Sequence, residues 1–188
     1  MAILDAWTSL YAFGIDAGVD TLTSWMRAVS LCAPRIRGGQ ALLIGETDPT
    51  LAQSLMLWNS TLLAQTELRE REQTALPPVF AAACVWGRRD AVKVTLERIG
   101  ALGGGDLSAI ETTEGMLPSV LGPVPIPQPR TIDSRELEGT ADRVKAVVRV
   151  PQSRRGELAL RLRSASARHV AAREPGELRF QLDPKERI

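Results

Sequence analysis

An α+β fold is what this 188-residue sequence predicts. Three observations carry that reading. Apolar residues recur at helical spacing through the N-terminal part, a proline-rich segment follows, and beyond it the apolar pattern drops to a period of two. The expected organisation is a small bundle of amphipathic helices over residues 1–110, a linker over 111–130, and a small antiparallel β-sheet, like half of a sandwich, over 131–188.

The helical part begins at Ile3. Ile15, Val19, Leu22, Met26 and Val29 step by four, three, four and three, so they share one stripe of a helix that Pro34 ends. Gly14 and Gly18 weaken its middle, where a break or kink is expected. Asp48 before Pro49 is a start signal: the carboxylate accepts from free N–H groups, and proline suits the first helical position. Leu51, Leu55, Trp58 and Leu62 form the stripe that follows, and Leu76-Pro77-Pro78 stops it. Val79 to Trp86 reads as a third helical stretch interrupted by Gly87, and Asp90 to Leu102 as a fourth, closed by Gly103-Gly104-Gly105. The run Pro123-Val124-Pro125-Ile126-Pro127-Gln128-Pro129 lacks backbone donors and is expected to extend as a polyproline spacer.

Three half-buried strands are expected next. Val144, Ala146, Val148 and Val150 alternate with Arg143, Lys145, Val147 and Arg149; Leu158, Leu160 and Leu162 with Glu157, Ala159, Arg161 and Arg163; Leu178, Phe180 and Leu182 with Glu177, Arg179 and Gln181. A weaker fourth strand falls around Arg168 to Ala172. Three strands with one apolar face lie near the lower limit of independent stability, so the greasy face needs cover from helices, a second copy or a partner.

Charge divides along the chain. Residues 131–188 hold 13 basic and 9 acidic side chains, the rest of the chain 10 and 13, for a net charge of +1. Arg143, Lys145, Arg149, Arg161, Arg163 and Arg179 gather on the expected outer face of the sheet and are the candidate contacts for an anion. Against nucleic acid stands the lack of an aromatic residue among them, since Phe180 points inward, so a nucleic-acid partner is not expected.

Chemistry is sparse. The cysteines Cys32 and Cys84 read as small buried thiols, too few for a disulfide framework or a zinc site. His169 has no nucleophile elbow to serve. Gly100 to Gly105 follows a helix and has no lysine after it, unlike a phosphate cradle. Glu111 and Glu114 lie in an expected loop with nothing to raise a pKa. No cofactor or metal is implied, and the reading leans away from an enzyme. With no charged leader before an apolar run and no apolar stretch of spanning length, a cytoplasmic protein is expected.

These features favour a non-catalytic interaction or scaffold protein that forms homo- or hetero-oligomers. Its helices would meet a protein partner or an apolar surface through Trp7, Trp25 and Trp58 with Leu55 and Leu62, and the β-part would supply a second contact. An accessory subunit of a larger enzyme complex is one alternative. A coat on an apolar granule is another, which resembles phasins in amphipathic pattern alone.

Overall fold

The computed structural model describes residues 1–12, 14–126 and 142–184. The chain is an α+β protein of two compact units, Met1–Glu70 and Arg71–Ile188.

In the first unit a two-residue strand β1 (Ala2–Ile3) pairs in parallel with β2 (Leu42–Leu43). The helix expected from Ile3 onward is instead a 3-10 turn at Ala6–Tyr11 and, after the break at Gly14, helix α1 (Ala17–Ser30). Asp48 caps α2 (Pro49–Met56) as expected, its carboxylate accepting from the N–H groups of Thr50 at 2.8 Å and Leu51 at 3.1 Å. The stripe through Leu51, Leu55, Trp58 and Leu62 does not survive. Trp58 takes a left-handed φ of 52°, which ends α2, and α3 (Thr61–Gln73) starts anew beyond it. The core of this unit is small: Leu22, Leu51 and Leu63, with Trp25, Met26 and Leu55 against them.

The second unit is built on a four-stranded sheet in the order β6-β7-β3-β8, every neighbour antiparallel. Along the chain come β3 (Phe80–Arg88), α4 (Arg89–Arg98), a hairpin of β4 (Ala109–Thr112) and β5 (Gly115–Pro118), β6 (Val120–Pro125), β7 (Arg143–Pro151), α5 (Arg155–Ala171) and β8 (Leu178–Leu182). Leaving the hairpin aside, this is the split β-α-β arrangement of ferredoxin-like sheets.

Four expectations are corrected here. The stretch expected as helix over Val79 to Trp86 is strand from Phe80 onward, despite its alanines. The β-residues Val85 and Trp86, and Phe80 at its start, fit a pleated surface, and a central strand buried on both faces rewards small side chains such as Ala81, Ala82 and Ala83. Leu158 to Arg163 and Arg168 to Ala172 are not strands. They belong to the 17-residue helix α5, rich in good helix formers, whose buried residues Leu158, Leu162, Ala165 and His169 follow helical spacing while Leu160 is 68% exposed. The greasy sheet face is therefore not half of a sandwich: α4 and α5 cover it. Finally, the described part of the expected linker holds β5 and β6, so Pro123 to Pro125 of the proline-rich run end an edge strand, where missing N–H groups cost little. Pro127 to Arg130 lie outside the described residues.

The main core lies between this sheet and its two helices. Ala81, Ala83 and Val85 of β3 and Val144, Ala146, Val148 and Val150 of β7 meet Val92, Leu96 and Ile99 of α4 and Leu158 and Leu162 of α5. Helix α4 ends at Gly100 (φ 79°), with Gly100 N–H donating to Glu97 and Ala101 N–H to Leu96. That is a Schellman closure, which needs a residue at ease in the left-handed region.

Candidate functional site

Alternation along strands fixes what the second face of the sheet carries. The core takes Val85, Val144 and Ala146, so Trp86, Arg88, Arg143 and Lys145 point the other way, to the face opposite α4 and α5. The register aligns them in rows. Arg143 of β7, Arg88 of β3 and Glu177, just before β8, form one row; the Arg88 N–H donates to the Glu177 carbonyl at 2.9 Å. Lys145, Trp86 and Arg179 form the next. Neighbouring positions within a row are about 4.8 Å apart, and the rows about 7 Å apart. Gly87 makes the junction with β8 possible, because a Cβ there would stand 1.9 Å from the Glu177 carbonyl oxygen.

The two rows lie at the open end of the face. Arg88 and Arg179 are exposed, and Arg143, Lys145 and Trp86 half-buried. At the opposite end Ala82, Cys84, Val147 and Arg149 are buried. Among the described residues two carboxylates meet these cations: Glu177 meets Arg143 at 2.8 Å and Arg179 at 2.8 Å, and Asp90 meets Arg88 at 3.8 Å.

The candidate cations of the sequence thus separate. Arg143, Lys145 and Arg179 share this patch. Arg149 does not: only 4% exposed, it donates to the Thr74 carbonyl at 2.5 Å and the Pro118 carbonyl at 2.6 Å, and burial lowers its pKa. It pins three segments together. Arg161 and Arg163 lie on α5, across the layer. Arg161 grips Asp106 with both terminal nitrogens at 2.7 Å, and Arg154 joins from 2.6 Å while holding Glu157 at 2.7 Å. Hydrogen bonds from Arg161 and then Arg154 hold the Asp106 carboxyl far below the usual carboxylate range, and Arg154 lowers Glu157 likewise. This network clamps the glycine-rich loop to α5. His169 is likewise structural, set between the Glu174 carboxylate at 3.1 Å and the Gly176 carbonyl at 2.9 Å.

Two members of the patch were missed in the sequence, Trp86 and Arg88. The argument that no aromatic lies among the charges fails because Trp86 belongs to a central strand between Lys145 and Arg179. The signal was the length of the apolar run, too short for a helix, bounded by Pro77-Pro78 and Gly87.

The apolar candidates fall in the first unit. Trp7 (49% exposed) stacks edge-on against Tyr11, and Trp58 is 54% exposed. Leu55 and Trp25 pack against the small core, and it is Leu63, not Leu62, that is buried there. Ile3, Val29, Leu42, Leu55, Met56 and Trp58 border a groove of about 1220 Å³. Among the described residues no cluster of side chains could hold a metal ion, and no helix is long and apolar enough to cross a membrane.

Comparison with known proteins adds the following. Residues 72–185 match the family model described as Primosomal protein N C-terminal domain. The chain is 31% identical over 189 residues to a probable replication restart protein PriA of Mycobacterium leprae (strain TN), covering 97% of this chain and 26% of that protein. It is 29% identical over 186 residues to the protein of the same description in Mycobacterium tuberculosis (strain ATCC 25618 / H37Rv), covering 97% of this chain and 27% of that protein. The chain therefore spans about a quarter of the length of these relatives. These matches overturn two expectations: a general scaffold or granule coat, and a chain for which nucleic acid is an unexpected partner.

Proposed function

Because this chain belongs to the family of the Primosomal protein N C-terminal domain, we propose that it is a DNA-contacting module acting in replication restart, and that it makes the contact with the face of its sheet opposite α4 and α5. The observation that carries the reading is the pair of rows Arg143–Arg88–Glu177 and Lys145–Trp86–Arg179, four cations and one aromatic on the open end of a face whose other end is buried. Phosphate neutralisation by lysine and arginine supplies affinity without sequence information, which suits a module that works wherever replication has stopped. The place of work is then the DNA of the cytoplasm.

The test is fluorescence anisotropy of the full chain with a labelled oligonucleotide across a salt series. Replacing Arg88 and Arg179 together with alanine is expected to weaken binding and to flatten the plot of log K against log salt by about 0.7–0.9 per cation removed. An unchanged slope, or a loss confined to the α5 variant Arg163→Ala, would refute the assignment of the face.

A second contact, with a protein, is favoured by the first unit, where Trp58, Met56 and Leu42 stand exposed around the groove. Trp58→Ala is expected to leave the DNA affinity of the chain unchanged while reducing capture of a primosomal partner.

A further inference from the structure

We infer that two copies of this chain associate through the open edge of β8, joining their sheets into one across a twofold axis. The two edges of the four-stranded sheet are unlike. On β6 the register shifts between Leu121 and Val124, and Pro123 and Pro125 have no N–H to offer, so that edge is closed to a further strand. Strand β8 has no proline and pairs with β3 without a shift. The Arg88 N–H donates to the Glu177 carbonyl and the Asp183 N–H to the Ala82 carbonyl, so the odd-numbered residues of this strand face β3. The N–H and C=O groups of Leu178, Phe180 and Leu182 therefore face outward, and among the described residues they meet no partner strand.

This edge is complementary to itself. In an antiparallel pair with its twofold axis at Phe180, Phe180 faces its own copy, Leu178 faces Leu182 of the second copy, and Arg179 faces Gln181 of the second copy. About six backbone hydrogen bonds form, all from groups otherwise left to water. Either slip of two residues shortens the ladder, and one of them sets Arg179 against Arg179.

A second copy also covers the layer above the strand. Helix α5 gives Leu158, Leu162, Ala165 and His169 to the interior. Its next flank, Arg163, Ser166, Ala167, Val170 and Ala171, borders with Phe180 a groove of about 500 Å³, in which Val170 is 70% exposed. A lone extended segment would satisfy the β8 backbone and leave this flank wet. The twofold axis that pairs β8 with β8 brings α5 against α5 on the same face, where the short side chains of Ser166, Ala167 and Ala171 suit helix axes about 8–10 Å apart. Arg163 begins the flank, so in the antiparallel pair the two guanidinium groups stand at opposite ends. The edge is about 17 Å long and the two layers about 15 Å high, at the low end for a specific interface, so the association is expected to be reversible.

The test is sedimentation equilibrium of the full chain from about 1 to 200 μM. The apparent mass is expected to rise from 20.4 kDa toward twice that value. Gln181→Glu, which sets an opposite charge before each Arg179, is expected to tighten the dimer about 2- to 30-fold, and Gln181→Arg to weaken it by a similar factor. Val170→Glu is expected to weaken it about tenfold or more. Gln181 and Val170 are exposed, so these variants leave the core intact. A mass that stays at 20.4 kDa throughout overturns the inference. Growth beyond a dimer also overturns it, because the closed β6 edge ends the assembly at two. A dimer indifferent to the charge at residue 181 lies elsewhere and overturns it as well; its loss on Trp58→Ala would place it at the groove of the first unit.

Discussion

On the proposed DNA-contacting face Glu177 holds two cations that a phosphate would take, and its removal is the most telling single change in the patch. Its carboxylate holds Arg143 and Arg179 at 2.8 Å each, so a nucleic-acid phosphate has to displace an anion already bound. Both pairs are partly solvated, and such pairs are worth about 0.2–1 kcal/mol apiece. Glu177→Gln spares the incoming strand that cost of about 0.4–2 kcal/mol, which is a gain of about 2- to 30-fold in affinity at low salt. The two freed cations are also expected to steepen the single-strand salt dependence by up to about 1.4 in slope. The backbone link from Arg88 to Glu177 is untouched by the change, so the row keeps its geometry. Anisotropy titrations of a dT 20-mer from about 50 to 300 mM salt read both quantities, since screening acts over about 10 Å in that range. Glu97→Gln, the same change of charge on exposed α4 beyond the other face, is the control. Affinity that fails to rise, or that rises equally with Glu97→Gln, would refute the argument that Glu177 competes with phosphate.

Three further predictions concern the frame. Leu162→Ala removes a fully buried side chain of α5 and is expected to cost about 2–5 kcal/mol in urea unfolding. Arg149→Met keeps the stem but leaves the carbonyls of Thr74 and Pro118 without their donor, with an expected loss of about 1–3 kcal/mol; a gain in stability would mean that desolvation of the guanidinium outweighs its two hydrogen bonds. Acid should loosen the loop clamp. The Asp106 and Glu157 carboxyls are depressed in the folded chain, so their contribution is full above the unfolded carboxylate value near pH 4 and is lost as pH falls through the lower folded values. Melting temperature is therefore expected to hold from pH 7 to about 5 and fall below about 4, with Asp106→Asn lowering the plateau and flattening the fall.

What was legible in the sequence depended on whether local pattern and tertiary demand agreed. They agreed at Asp48-Pro49, where the cap is chemistry of adjacent residues, and along Val144 to Val150, where β-branched residues alternate with cations. They disagreed at Ala81-Ala82-Ala83, whose helix propensity yields to a strand buried on both faces, and at Leu158, Leu160 and Leu162, whose apparent alternation is two buried leucines of a helix and one exposed leucine between them. The site suffered from the first of these errors. With β3 read as helix, Trp86 and Arg88 were removed from the face they share with Arg143, Lys145 and Arg179. Pairings across strands this far apart in sequence are tertiary facts, and no local period encodes them.

The sheet order has a consequence for how the protein comes into being. Strand β3 is central, yet its neighbour β8 arrives so late that Asp183 meets Ala82 across 101 residues. Closing so long a loop is entropically slow, and until it closes β3 shows a bare edge. Arg179 and Glu177 join Trp86 only at that moment. Synthesis and refolding should therefore pass through a species that holds β3 and β7 together, in which the proposed DNA-contacting face is completed only at the final docking step.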